Sequence, residues 1–122
     1  MTKRGLIILG HGSKAPEATK TLAAVTQMVK EKSNWERVDY ASLQLSKPDL
    51  ATAIREQIKA GITRIKVLPF LIAVGQHVKV DIPEELSALS EQYPNVEMQL
   101  GRPLGADSRL ADILIDRLAE ME

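Results

Sequence analysis

The chain contains two histidines, and both stand where an imidazole could do chemistry. His11 lies between two glycines in the stretch Gly5–Ser13, which reads GLIILGHGS. His77 lies in a second glycine-bearing stretch, Ala73–Lys79. A neutral imidazole binds a first-row divalent metal through a ring nitrogen lone pair, or accepts a proton near neutral pH. Two such groups without a cysteine predict a weak, open metal site, which suits a protein that passes its metal onward.

An alternation of strands and helices positions these histidines. Four apolar runs predict strands at Arg4–Gly10, Arg37–Leu45, Arg64–Leu71 and Val96–Leu100. Helical spacing and capping residues predict helices that begin at Pro16 and Pro48 and after the N-caps Asp81 and Asp107. With no linker or repeat between them, these elements predict a single α/β domain over residues 1–122, with three layers and a four-stranded parallel sheet in the order 2-1-3-4.

Both histidines fall on the edge where an open parallel sheet binds ligands. Ligands bind such a sheet outside the carboxyl ends of its strands, where the strand order reverses, here between the first and third strands. His11 follows the first strand, and His77 is expected in a loop after the third. Taken alone, either histidine is more often an ordinary loop residue that is solvated or hydrogen-bonded. Their joint placement predicts that the two imidazoles project into one crevice.

The last predicted helix has a clear apolar periodicity. Leu110, Ile113, Leu114, Leu118 and Met121 recur at helical spacing, which is typical of one buried face. We therefore expect these side chains to point inward, against the sheet.

Composition narrows the possible functions. Sixteen basic and sixteen acidic residues balance, and one Trp, two Tyr and one Phe leave little aromatic surface for stacking bases, which argues against a nucleic-acid partner. The absence of cysteine excludes disulfides and thiolate metal sites. The sequence shows neither a signal-peptide pattern nor a run approaching the roughly 20 apolar residues that span a membrane. We therefore expect a cytoplasmic protein with no membrane partner.

Three other motif interpretations compete at the GHGS segment. Gly10–Ala15 matches the dinucleotide pattern G-x-G-x-x-A, but Pro16 places the helix start after the motif, and strand two ends without a carboxylate for a ribose. A phosphohistidine role for His11 lacks the arginine that would clamp the phosphate. A nucleophilic Ser13 would need a strained elbow and an orienting acid, so Ser13 is expected to hydrogen-bond within the loop. No nucleotide cofactor is expected, and dinucleotide binding stays open as a third alternative.

The chain resembles the small, single-domain sirohydrochlorin cobaltochelatases, which are class II chelatases of cobalamin and sirohaem synthesis and have nickel-inserting relatives. The most specific matching segments are GHGS at Gly10–Ser13, LPFLIAVGQHVKVDIPEEL at Leu68–Leu86 and GRPLGADSRLADILIDRL at Gly101–Leu118. The resemblance implies ATP-independent insertion of cobalt or iron into a tetrapyrrole. It implies that His11 and His77 are catalytic and bind the metal, with His11 also accepting protons. Because family members look like one half of longer, two-lobed chelatases, it also implies a homodimer.

The chemistry of that reaction predicts how the tetrapyrrole is bound. Insertion expels two pyrrole protons, so bases must lie beside the ring. Glycines on both sides of His11 and near His77 would leave room for a flat ring, an apolar loop would line its face, and cations would meet the carboxylates of sirohydrochlorin. The predicted binding residues are Gly10, Gly12, Ser13, Lys14, Gln44, Lys47, Ile72, Ala73, Val74, Gly75, Gln76 and Arg102, with Lys79 as a further cation.

One segment departs from the family pattern. The family usually carries acidic residues after strand two, in a pattern like E-x-x-E-P, whereas Gln44–Pro48 reads QLSKP. Gln44 offers a carbonyl oxygen that has neither negative charge nor basicity. Lys47 places a positive charge where the family pattern has a negative one. Losing a nearby carboxylate weakens metal binding and removes a candidate proton acceptor. The alternative function is therefore a non-catalytic metal- or tetrapyrrole-binding protein derived from the chelatase family.

Overall fold

A computed structural model describes residues 3–43 and 46–122, except for the side chain of His77. Its four strands are β1 (Arg4–Gly10), β2 (Arg37–Ser42), β3 (Arg64–Pro69) and β4 (Glu97–Leu100). They form one parallel sheet in the order β2-β1-β3-β4. This order confirms the predicted topology and places its reversal between β1 and β3.

Four helices connect or follow the strands: α1 (Pro16–Ser33), α2 (Leu50–Lys59), α3 (Gln76–Gln92) and α4 (Ser108–Glu120). Pro16 begins α1, as predicted. Asp49 caps α2 by accepting a hydrogen bond from the Thr52 N–H at 2.8 Å. Asp107 caps α4 in the same way through Arg109. Among the described residues, no helix combines the length and apolar character that crossing a bilayer requires.

Helices cover both faces of the sheet, so the fold has the predicted three layers. On one face, Ile7 and Leu9 of β1 are fully buried in a cluster with residues of α2 and α3. On the other face, Leu6 and Ile8 pack with Leu22 of α1. Because β1 is buried on both faces, its sequence is a continuous apolar run rather than an alternating one.

Two strands end earlier than predicted. β2 ends at Ser42, and β3 ends at Pro69. Proline has no N–H to donate to the ladder, so pairing stops there. After β2, the Ser42 N–H donates to the Pro48 carbonyl at 2.9 Å, which turns the chain toward α2. Both departures concern the ends of elements, where sequence patterns are least informative.

The predicted loop Ala73–Lys79 and the predicted N-cap at Asp81 are wrong. The helix begins at Gln76 after Gly75, and Asp81 and Pro83 lie inside it. Ile82 is buried, and Val78 packs one turn earlier against the same cluster. Burying these side chains offsets the roughly 3 kcal/mol that an interior proline costs a helix. His77 therefore belongs to the first turn of α3 rather than to a loop.

The prediction that α4 packs inward is also wrong for the single chain. Ile113 is 48% exposed, Leu114 69%, Leu118 50% and Met121 83%, and Leu110 is half-buried. The helix and its amphipathic periodicity are as predicted, but no described part of the chain covers the apolar face. Periodicity shows that a face is apolar and does not show which surface covers it.

Candidate active site at the carboxyl edge of the sheet

A hollow of about 480 Å³ opens beyond the carboxyl end of β1. Its wall includes Gly10–Ser13, residues of α1 between Glu17 and Leu22, Ser42 and Ser46 near the end of β2, and Phe70 after β3. Three strand ends and the start of α1 therefore contribute to one concave surface. This is the edge on which the strand order predicts a ligand site.

His11 is placed in this hollow by the chain conformation on both sides of it. Its side chain is exposed at the end of β1. Gly12 has φ +92°, a left-handed conformation that favours glycine, and this turns the chain away from the strand. An imidazole held at the mouth of a hollow is open to a metal ion or a large substrate.

The three glycines predicted to make room for a flat ring have different structural reasons. A Cβ added to Gly10 would lie 2.9 Å from the Leu22 Cδ2 atom, so this glycine allows α1 to approach β1. Gly12 is required by its positive φ. A Cβ added to Gly75 would meet no atom within 4 Å. Open space therefore surrounds Gly75, whereas the side chain missing at Gly10 would point into packed helix rather than toward a ligand.

Ser46 joins the loop that carries His11 to the chain that follows β2. Its hydroxyl accepts a hydrogen bond from the Ser13 N–H at 3.0 Å and donates to the Ser13 carbonyl. The Leu43 N–H also donates to the Gly10 carbonyl at 3.0 Å. The hydroxyl of Ser13 accepts from the Ala15 N–H at 3.1 Å. Ser13 thus hydrogen-bonds within the loop, as predicted, and its neighbours hold the His11 loop in place.

His77 is the second residue of α3, the helix that follows β3. Because β3 is the neighbour of β1, the two histidines follow adjacent strands at one edge of the sheet. The side chain of His77 lies outside the described residues, so the convergence of the two imidazoles on one metal stays a prediction.

The other predicted binding residues lie in several places around this edge. Ile72, Ala73, Val74, Gly75 and Gln76 form the connection from β3 into α3, and Ile72 is 59% exposed. Lys14, Lys47 and Lys79 are exposed. Arg102 lines a different hollow, beside Asp107 and α4. Gln44 lies outside the described residues. The described hollow therefore contains Gly10, His11, Gly12 and Ser13 of the predicted set.

Several residues of the hollow were missed by the sequence analysis. Ser42 ends β2 and Phe70 follows β3, so the rule that placed His11 at a strand end could also have found them. Ser46, in contrast, reaches Ser13 across 33 positions of the chain. No local pattern predicts that contact, because it depends on how two loops meet.

Asp49 is the first acidic residue after the QLSKP segment, but it does not replace the carboxylates that the family pattern has in that segment. Asp49 caps α2, and hydrogen bonds from Thr52 lower the pKa of its carboxyl. On α3, the partial burial of Glu85 raises the pKa of its own carboxyl, and the negative charge of Asp49 raises it further. Among the described residues, no group of three or more His, Cys, Asp and Glu side chains is placed to hold a metal.

Comparison with known proteins gives a consistent family match. The family model CbiX matches residues 5–121. The sirohydrochlorin ferrochelatase of Priestia megaterium is 34% identical over 110 residues, covering 90% of this chain and 41% of that protein. The sirohydrochlorin cobaltochelatase of Methanopyrus kandleri is 30% identical over 135 residues, covering 94% of each protein.

Solved structures match the fold at similar coverage. The sirohydrochlorin chelatase SirB from Bacillus subtilis subspecies spizizenii, crystallised in complex with cobalt, is 29% identical with a TM-score of 0.88. That match covers 98% of this chain and 51% of SirB. SirB from Bacillus subtilis with Fe³⁺ gives a TM-score of 0.86 at 29% identity, covering 98% of this chain and 48% of that one. The chain thus spans about half the length of the ferrochelatase-type relatives and nearly the whole of the Methanopyrus protein.

Proposed function

This chain belongs to the CbiX family, and we propose that it inserts a divalent metal, cobalt or iron, into sirohydrochlorin without ATP. The observation that carries the proposal is an exposed His11 in a hollow at the carboxyl end of β1. The names of the relatives, which include both cobaltochelatases and ferrochelatases, support this substrate and these metals.

His11 can take two successive parts in this reaction. Insertion replaces two pyrrole protons with one divalent cation, so two N–H bonds break as metal–nitrogen bonds form. A neutral imidazole first binds the metal through a ring nitrogen. When the metal passes to the pyrrole nitrogens, the same lone pair becomes free to accept one of the expelled protons, and the second proton passes to solvent water. His77, at the start of α3, is proposed as the second metal ligand.

The remaining predicted residues are proposed to hold the tetrapyrrole over this edge. The connection Ile72–Val74, in which Ile72 and Ala73 are exposed and Val74 is half-buried, offers an apolar surface to the ring face. The exposed cations Lys14, Lys47, Lys79 and Arg102 are available for the substrate carboxylates. Exposure favours this role, since a buried cation could not reach a ligand that lies across the strand ends.

We infer that the chain acts as a cytoplasmic homodimer in cobalamin or sirohaem synthesis. It covers nearly the whole of one cobaltochelatase and about half of the ferrochelatases. Two copies would supply the chain length that the longer relatives carry in one polypeptide.

An anaerobic absorbance assay tests the proposed activity. The purified protein is mixed with sirohydrochlorin and with Co²⁺, Fe²⁺ or Ni²⁺ in turn, and the spectral change of the tetrapyrrole is followed. We expect metallation above the spontaneous rate with at least one of these metals. A rate equal to the protein-free rate for all three contradicts a catalytic function. Fluorescence titration with NAD, for which we expect no binding, tests the dinucleotide alternative.

A second candidate function is a non-catalytic carrier of metal or tetrapyrrole. The observation that favours it is the QLSKP segment, in which Gln44 and Lys47 stand where the family usually has acidic residues. A carrier binds metal or tetrapyrrole and shows no metallation above the spontaneous rate, so the same assay separates the two functions.

Restoring a carboxylate at position 44 should accelerate the reaction. We expect Gln44→Glu to raise the metal-insertion rate by roughly tenfold, because a carboxylate adds both a metal ligand and a proton acceptor. The measurement is the initial rate at fixed metal and sirohydrochlorin. Gln44→Asn, which keeps the amide, is the control. An unchanged rate in Gln44→Glu shows that the missing carboxylate does not limit the reaction.

Removing the Ser46 hydroxyl should slow insertion without unfolding the protein. Ser46→Ala loses the hydrogen bonds to Ser13 that hold the His11 loop. Two lost hydrogen bonds at about 1 kcal/mol each correspond to a fall of roughly 30-fold in the insertion rate if their full free energy positions His11. Ser46→Thr keeps a hydroxyl and should retain more activity than Ser46→Ala. Equal rates in the wild type and Ser46→Ala would show that this contact does not position His11.

A further inference from the structure

One buried hydroxyl in the hollow beside His11 lacks a partner among the described residues. Ser42, at the end of β2, is 3% exposed and lines this hollow. The hydrogen bonds described in this region join Ser46 to Ser13 and Ser13 to Ala15, and none of them reaches the Ser42 Oγ atom. Because a buried hydroxyl without a partner is costly, Ser42 marks a place in the hollow where a polar ligand atom fits.

The register of the sheet shows which side of the hollow the Ser42 hydroxyl occupies. Ser42 pairs with Gly10 of β1, and residues paired across neighbouring strands share one face of a sheet. A Cβ added to Gly10 would lie 2.9 Å from the Leu22 Cδ2 atom, so this is the face that α1 covers. The Ser42 side chain therefore lies between the end of the sheet and the N-terminal turns of α1.

The first turn of α1 borders the same hollow through Glu17, Ala18 and Thr19. Ala15, in the N-cap position, makes no side-chain hydrogen bond to this 18-residue helix, so no cap satisfies the N–H groups of the first turn. They carry the partial positive charge of the helix dipole, which favours a negatively charged ligand. The Glu17 carboxylate is turned to solvent, since its side chain is 84% exposed and lies 3.7 Å from the Lys20 Nζ atom.

We propose that Ser42 and the first turn of α1 together bind one peripheral carboxylate of the tetrapyrrole. The proposal rests on the proposed function and deepens it, because it adds a carboxylate subsite built without a charged side chain to the exposed cations. The Ser42 hydroxyl donates to one carboxylate oxygen, and N–H groups of the first turn donate to the carboxylate from the other side. His11 lies in the same hollow, so the bound carboxylate determines which edge of the ring lies beside the imidazole.

The shape of the hollow favours a carboxylate arm over the ring itself. Its volume of about 480 Å³ is many times the roughly 30 Å³ of a water molecule, so an arm of several atoms can enter. The pyrrole nitrogens lie at the centre of the ring, where the metal binds, and cannot reach a hydroxyl buried under α1. Peripheral carboxylates extend from the rim of the ring and can. The apolar side chains of Leu22 and Phe70 in the wall suit the methylene groups of such an arm.

Equilibrium binding of metal-free sirohydrochlorin, followed by its absorbance, tests the Ser42 hydroxyl. Ser42→Ala should raise the dissociation constant by roughly tenfold or more, because a hydrogen bond to a charged group is lost. Its thermal unfolding midpoint should be no lower than that of the wild type, since the hydroxyl has no described partner in the folded chain. A wild-type dissociation constant overturns the proposal, and so does a lowered midpoint, which would give this hydroxyl a structural role instead.

Thr26→Ala is the matched control. Thr26 is also buried, but its hydroxyl donates to the Leu22 carbonyl at 2.7 Å, within α1. Removing this hydroxyl breaks a hydrogen bond inside the protein, so the unfolding midpoint should fall. The dissociation constant for sirohydrochlorin should match that of the wild type. The two variants are thus expected to show opposite patterns of stability and binding.

Two substitutions of Ala15 test whether the bound group is an anion. Ala15→Asp and Ala15→Asn both supply an N-cap to α1, so both should raise the unfolding midpoint. Only aspartate adds a negative charge at the first turn. Ala15→Asp should therefore raise the dissociation constant for sirohydrochlorin at least threefold over that of Ala15→Asn, and the difference should shrink at high salt. Equal dissociation constants in the two variants would show that no carboxylate binds at this end of α1.

The binding assay requires no metal insertion, so the two proposals can fail separately. A protein that binds sirohydrochlorin through Ser42 and inserts no metal contradicts the proposed activity alone. An active protein whose Ser42→Ala variant binds sirohydrochlorin as tightly as the wild type contradicts the carboxylate subsite alone.

Discussion

His11→Ala is expected to abolish metal insertion, with a loss of at least 100-fold in the rate. The substitution removes a proposed metal ligand and a proton acceptor from the same position, and a positioned general base alone contributes roughly 100- to 10,000-fold. His11 is exposed, so its removal creates no cavity. The thermal unfolding midpoint should therefore match that of the wild type. Anaerobic initial rates and cobalt titration by calorimetry measure the two effects.

The companion variant His77→Ala tests whether the two imidazoles share one ion. If they do, each single variant should weaken cobalt binding, and the double variant should lose little more than His11→Ala, because residues that act as a unit are not additive. Unchanged turnover in His11→Ala refutes its catalytic role. Independent, additive losses would show two separate sites.

Gly5→Ala is expected to destabilise the fold by about 1–3 kcal/mol, the usual range for overpacking a core. An added Cβ would lie 2.1 Å from the Gln57 Oε1 atom and 2.9 Å from the Ile62 Cγ2 atom. Gln57 is fully buried, and its Nε2 atom donates to the Leu6 carbonyl at 2.9 Å. The amide oxygen therefore cannot move without breaking a buried hydrogen bond. Urea unfolding of each variant gives the free energies.

A double-mutant cycle identifies the clash as the cause. Gln57→Ala removes the amide that the new methyl group would meet, so the double variant should be less destabilised than the sum of the single variants, by roughly 1 kcal/mol or more. Gly75→Ala is the control, since a Cβ there meets nothing within 4 Å and its φ of −72° suits any residue. Strict additivity of Gly5→Ala and Gln57→Ala would show that the loss arises elsewhere.

The strand and helix pattern follows from local sequence features. The apolar run in β1 is continuous because Ile7 and Ile8 are buried on opposite faces. Pro16 and Asp107 mark helix starts because a missing N–H and a capping carboxylate act within one turn. In contrast, Asp81 and Pro83 resemble a helix start, yet α3 begins at Gln76. The burial of Ile82 decides that boundary, and local sequence does not show it.

The position of His11 could be predicted because the end of a buried parallel strand determines which edge of the sheet a residue occupies. The sequence by itself therefore determined the α/β class and the edge of the sheet that carries GHGS, whereas the expected strand order was established by the structure. Tertiary structure alone decided that Ser46 holds Ser13, that Gly10 packs against Leu22, and that the apolar face of α4 stays exposed. The physical reason is the distance along the chain over which each interaction acts. Capping and periodicity act over a few residues, whereas these contacts join segments whose separation in space depends on the whole fold.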